Sequence, residues 1–154
     1  MAGLWYEELR EGMVFEHELA RTVTEADNMW FCNATLNPQP LHIDYHHAAQ
    51  TEFGKPLVNS LFTLGLVIGM TVTDTTLGTT VANLGMTNTT FPAPVFFGDT
   101  VRTRTTVVSK RDSSSRPGQG IVNFKHEGLN QDGVVVCICE RAALMHCKPK
   151  GGEA

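Results

Sequence analysis

Residues 59–73 constrain the fold more than any other stretch of this chain. Leu61, Phe62, Leu64, Leu66, Val67, Ile68, Met70 and Val72 occupy nearly every side of a helical wheel, and a helix that is apolar all round is expected to be buried. Gly65 and Gly69 lie four apart on one face, where the missing side chains let a sheet or a partner approach the backbone despite glycine's helix penalty. Such a helix needs a wrapper. It is not expected to cross a membrane, because Asn59, Ser60, Thr63 and Thr71 interrupt the apolar run 57–72, which falls short of the roughly 18 unbroken residues a span needs.

The second half of the chain supplies the wrapper. Segments 80–91, 100–109, 120–130 and 134–148 are rich in Val, Thr and Phe and read as strands, and an earlier strand is expected over 14–23. Asn130-Gln131-Asp132-Gly133 joins the last two strands; Gly133 can take the positive φ of a tight hairpin, so that pair is antiparallel. Thr24 and Asp27 form a capping box that opens a helix over 25–34, with Ala26, Met29, Trp30 and Asn33 at helical spacing. The expected fold is α+β, an antiparallel sheet curled around a long central helix.

At 154 residues the chain fits one domain that buries roughly two-thirds of its unfolded surface. With no internal repeat or linker, residues 1–150 read as that domain and 151–154 as a disordered tail. A net charge of −4 with no basic cluster argues against nucleic acid as a partner. The first residues lack a basic region followed by an apolar one, which makes the cytoplasm the expected compartment. Cys32, Cys137, Cys139 and Cys147 lack the paired C-x-x-C spacing of a structural zinc site, so free thiols and no metal are expected.

The chemistry concentrates in residues 37–60. Pro38 and Pro40 stop the first helix and hold 37–43 in a constrained, largely extended loop. Asp44 is placed to cap a helix over 45–51, before Gly54 and Pro56 break the chain again. His42 sits just ahead of that cap, and an imidazole exchanges protons near neutral pH, so His42 is the candidate acid/base. His46 and His47 lack a third ligand and read as polar helix surface. Lys110, Arg111 and Arg116 flank a Ser-rich loop and read as a solvated hairpin tip, with contact to a ligand's phosphates as the alternative.

Three blocks in order then carry a family resemblance: Asn37-Pro38-Gln39-Pro40-Leu41-His42-Ile43-Asp44, Phe53-Gly54-Lys55-Pro56-Leu57-Val58-Asn59-Ser60-Leu61, and Pro94-Val95-Phe96-Phe97-Gly98-Asp99. They resemble the MaoC-like (R)-specific enoyl-CoA hydratases, most of all a branch that includes mesaconyl-CoA hydratases. The resemblance implies a hot-dog fold, a homodimer, and addition or removal of water across the α,β double bond of an acyl-CoA. A short, branched or carboxylated acyl chain such as mesaconyl is implied, with no cofactor beyond the CoA of the substrate. His42 falls on the family's catalytic histidine, but Asn37 stands where the family has a catalytic aspartate, and an amide can orient water without taking its proton. By resemblance, Asn37 joins His42 as a catalytic candidate, and Gln39, Asn59 and Ser60 are candidates for substrate binding. Backbone amides near Asn59 and Ser60 would polarise the thioester carbonyl.

Two other readings stand beside this one. Asn37 before proline is also an ordinary turn former, and Ser60 an ordinary helix cap. A hot-dog thioesterase would use the same pocket, although its usual carboxylate is missing from residues 59–73. The departure at position 37 also suits a non-catalytic acyl-CoA-binding accessory subunit.

Overall fold

The computed structural model describes residues 3–149. In chain order the elements are β1 (Val14–Thr22), α1 (Glu25–Ala34), α2 (Pro40–Ile43), α3 (Tyr45–Ala48), α4 (Ser60–Gly69), α5 (Val72–Thr75), β2 (Thr80–Thr90), β3 (Thr100–Asp112), β4 (Gln119–Leu129) and β5 (Val135–His146). The strands form one antiparallel sheet in the order β1-β3-β4-β5-β2. The β4–β5 hairpin turns at Gly133 with φ 75°, as expected from its turn residues.

The central helix is shorter and less enclosed than its composition suggests. It ends at Gly69, and the chain turns at Met70 and Thr71 into α5. Its inner face is Thr63 and Val67, continued by the C-cap Met70, all buried, whereas Leu61 is 59% exposed and Gly65 and Gly69 are open to solvent. The reason is geometric: one sheet reaches one side of a helix. Val67 meets β4 where a Cβ on Gly128 would lie 2.5 Å from Val67 Cγ2, so glycine is what permits this close approach. Thr103 of β3 adds a hydrogen bond from its hydroxyl to the Val67 carbonyl at 3.2 Å.

A ten-residue helix is about 15 Å long, and strands of 11–13 residues run roughly 40 Å. The helix therefore cannot cover the sheet, and the N-terminal segment covers the rest. Tyr6 and Leu9 pack on Val107, Val122, Phe124, Ala143 and Met145, separately from the cluster around Val67, Met70, Val101, Val136 and Cys137.

Between these two apolar clusters runs a buried polar row across four strands. Arg141 Nε donates to His126 Nε2 at 3.1 Å, and because guanidinium nitrogens only donate, His126 must carry its proton on Nδ1. That proton goes to the Thr105 hydroxyl at 2.9 Å. Thr105 then donates to His17 Nε2 at 2.9 Å, and His17 Nδ1 to Asp74 Oδ2 at 2.7 Å. Burial, reinforced by the positive charge of Arg141 beside it, pushes the His126 pKa down to about 3.

Two local expectations are corrected. Residues 40–43 form a helical turn rather than extended chain, because Pro40 occupies its first position, where the missing amide costs nothing and the fixed φ suits a helix. The helix after Asp44 stops at Ala48. The expected tail 151–154 lies outside the described residues.

Candidate functional site

The site is built where α1, the 37–44 turn, the entry to α4 and residues 93–97 meet. The Thr24–Asp27 capping box is present as expected, with reciprocal bonds between Thr24 and Asp27. The buried face of α1, however, is Asn28 and Cys32, with Phe31 edge-on to Phe62 at 5.9 Å. Trp30, the largest side chain of the helix, is 70% exposed.

Asn28 is fully buried and organises the site. Its Nδ2 donates to the His42 carbonyl at 3.0 Å and its Oδ1 accepts the Asn59 amide at 2.8 Å. The segment 57–59 is tied from three sides: Leu57 N donates to Leu41 O, Val58 N to Val95 O and Asn59 N to Asn28. Asn28 was missed by sequence reasoning; its one signal is an amide residue in the interior of a helix, where asparagine is a poor helix former.

His42 sits in α2, half-buried, with Nδ1 2.7 Å from the Leu57 carbonyl. A carbonyl only accepts, so Nδ1 carries the proton and a neutral ring presents its lone pair at Nε2. Leu57 also lines a cavity of about 190 Å³, together with Phe53, Val58, Ser60, Thr63, Val95 and others. His42 is thus fastened to Leu57 in the wall of this cavity, three residues before α4 begins.

The other candidates are placed differently. Asn37 is half-buried; its Oδ1 accepts the Gln39 amide at 3.1 Å, the turn geometry of an asparagine before proline, which commits that oxygen. Gln39 is exposed at the N-cap of α2, without a side-chain cap bond. Ser60 is half-buried in the cavity wall. Asn59 is 3% exposed; its Oδ1 caps α4 by accepting Leu61 N at 2.9 Å, and its Nδ2 faces Cys32 Sγ at 3.9 Å. The side chain of Asn59 is therefore spent on the helix start. With the amides of Asn59 and Leu61 engaged, those of Ser60 and Phe62 have no partner among the described residues, and they add to the positive end of the helix dipole.

Nearby carboxylates are occupied elsewhere. Asp44 Oδ1 caps α3 by accepting His47 N at 3.0 Å, and this bond leads the causes that hold its carboxyl below the usual range. Asp27 is bound to Thr24 and Arg21. Lys110, a candidate phosphate contact, donates instead to the carbonyls of Tyr6 and Leu9 at 2.6 and 2.8 Å and lies over the Tyr6 ring.

Comparison with known proteins fits this arrangement. Residues 8–128 match the family model of the MaoC like domain. The chain belongs to the MaoC-like domain family. Among its relatives is a mesaconyl-CoA hydratase of Cereibacter sphaeroides, 33% identical over 88% of this chain. The chain spans 39% of the length of that relative. A solved structure from Archaeoglobus, described as a monoamine oxidase regulatory protein, has a TM-score of 0.86 and 32% identity, covering 97% of this chain and 98% of that one. A Mycobacterium tuberculosis protein with a double hot-dog fold superposes with a TM-score of 0.87 at 24% identity, covering 99% of this chain and 47% of that one. The sheet curled against α4 is that hot-dog fold.

Proposed function

We propose that this MaoC-like chain is a hydro-lyase that adds or removes water across the α,β double bond of an enoyl-CoA thioester. One observation carries the reading: His42 is fixed through Nδ1 to the carbonyl of Leu57, a residue of the cavity wall, and its Nε2 has no hydrogen-bond partner among the described residues. The relative named mesaconyl-CoA hydratase supports the same chemistry.

In the hydration direction the water oxygen bonds to the β-carbon while His42 Nε2 takes one water proton, and the resulting imidazolium returns that proton to the α-carbon as the double bond is lost. Negative charge gathers on the thioester oxygen, which the Ser60 and Phe62 amides would receive. Asn37 would orient the water through its uncommitted Nδ2, since an amide donates but cannot remove the proton. Gln39 and the Ser60 hydroxyl would contact the substrate at the rim, while Asn59 would act by holding the helix start in place. The CoA is part of the substrate, and the reaction asks for no other cofactor.

A homodimer in the cytoplasm is part of this proposal. β2 is an edge strand of the sheet with Leu84 and Met86 exposed, and an unpaired apolar edge favours pairing with another strand. The four cysteines are unpaired thiols, in keeping with a reducing compartment.

A panel of enoyl-CoA and 3-hydroxyacyl-CoA thioesters, followed by mass spectrometry for gain or loss of one water, tests the reading. Release of free CoA instead would favour the thioesterase, whose usual helix carboxylate has no counterpart in α4 (Ser60–Gly69). Absence of any turnover with retained binding would favour the accessory subunit.

A further inference from the structure

The segments that meet at the site, 24–34, 37–60 and 91–99, hold one Lys or Arg between them, Lys55, against the acidic Glu25, Asp27, Asp44, Glu52 and Asp99. Most other cations of the chain are engaged. Arg21 pairs with Asp27, Arg104 and Lys125 with Glu127, and Lys148 with Glu8, while Lys110 and Arg141 are held by hydrogen bonds to Tyr6, Leu9 and His126. Arg111 is in register with Ile121, at the end of the sheet that Tyr6 and Leu9 cover and away from the cluster of Val58 and Val95.

Lys55 is exposed, and its ammonium has neither a carboxylate nor a hydrogen-bonding partner among the described residues. Its Nζ sits 4.2 Å from the centroid of the Phe96 ring. Phe96 in turn lies against Phe53, centroid to centroid 6.4 Å, and Phe53 lines the cavity. The cation therefore stands one ring outside the cavity wall. An aromatic face attracts the charge without consuming the three N–H donors, and a stem already settled on a ring has less freedom to lose when a ligand binds.

An acyl-CoA carries the negative charge of its CoA in one place, the phosphates, which an uncharged pantetheine arm separates from the thioester. A chain of net charge −4 repels such a polyanion unless a local cation receives it. We infer that the Lys55 ammonium receives a phosphate of the CoA moiety once the acyl end has entered the cavity. Lysine binds phosphate as a point charge, so arginine should replace it and a neutral side chain should not. The inference rests on the reading of the cavity as an acyl-CoA site, and it is independent of the hydration step.

Calorimetry on the purified full chain tests it with two ligands: butyryl-CoA, and S-butyryl-pantetheine, which keeps the thioester and the arm but lacks every phosphate. Lys55→Ala should bind butyryl-CoA about 10-fold more weakly and butyryl-pantetheine within about two-fold of the parent, the loss expected for one charged hydrogen bond. Lys55→Arg should restore the affinity, and Lys55→Ala should raise KM for crotonyl-CoA without changing kcat. Equal losses for both ligands, no loss for either, or an equal CoA-selective loss in Arg116→Ala at the hairpin tip would overturn the contact. If the CoA-selective loss appears while no enoyl-CoA gains water, hydration fails and the contact stands. A parent chain that binds neither ligand overturns both.

Discussion

Asn28 holds the backbone of His42: its side-chain amide donates to the His42 carbonyl at 3.0 Å from the interior of a different helix. The same side chain receives the Asn59 amide at 2.8 Å, so one buried residue sets the spacing between the imidazole-bearing turn and the start of α4. An asparagine is the side chain of this size that can donate to one partner and accept from the other.

Asn28→Asp should therefore lower both stability and turnover, because a carboxylate keeps the bond from Asn59 but has no donor for the His42 carbonyl. Asn28→Ala should cost about 2–6 kcal/mol, since the Asn59 amide and the part-buried His42 carbonyl lose their partner at roughly 1–3 kcal/mol each. Urea unfolding of both variants, read beside kcat and KM, checks this. Unchanged stability in Asn28→Ala would mean that the bridge is dispensable.

His42→Ala should abolish hydration while leaving affinity for a saturated acyl-CoA within a few-fold, as expected for a group that moves protons more than it binds. Loss of a general acid/base typically costs 100- to 10,000-fold in rate. Single-turnover kinetics and calorimetry measure the two effects separately. A variant that keeps its turnover would remove His42 from the chemistry.

The protein should lose stability in mild acid through His126. Its folded pKa of about 3 lies below the unfolded value of about 6.5. A depressed pKa means that the contribution is complete above pH 6.5 and is lost as pH falls toward 3, with a slope approaching about 1.4 kcal/mol per pH unit. Urea denaturation at intervals from pH 7 to pH 4 should show this slope in the parent chain and a shallower one in His126→Gln. The buried Arg141 beside it makes a charged imidazole at this place unfavourable.

Gly128→Ala should push α4 off the sheet. The added methyl would sit 2.5 Å from Val67 Cγ2 in a fully buried contact, and overpacking of this kind costs about 1–3 kcal/mol. Because α4 begins at the cavity, the variant should also raise KM for the thioester. Gly133→Ala, in the hairpin turn with φ 75°, should lower stability without changing KM.

Dimerisation is expected to depend on β2. Replacing Leu84, 51% exposed on the free edge strand, with lysine should convert the dimer to monomer in light scattering, since edge charges oppose strand pairing. A parent chain that is already monomeric at micromolar concentration would contradict the proposed assembly.

Local order in the chain was decided by rules that operate over a few residues. The Thr24–Asp27 cap, the hairpin at Gly133, the five strands and the position of His42 before the Asp44 cap all depend on turn chemistry and hydrophobic pattern. These are the terms a single sequence expresses directly. The face that α1 buries was not legible, because Asn28 is polar and its partners, His42 and Asn59, lie 14 and 31 residues away. Likewise, composition alone made the central helix look enclosed, but a finite sheet covers only one of its sides and leaves Leu61, Gly65 and Gly69 outside. Which nitrogen of His42 is free, which amides of α4 remain open and how the Arg141–His126–Thr105–His17–Asp74 row is directed depend on partners distant in sequence. Hydrogen-bond direction is a property of pairs, and those pairs exist only once the chain has closed on itself.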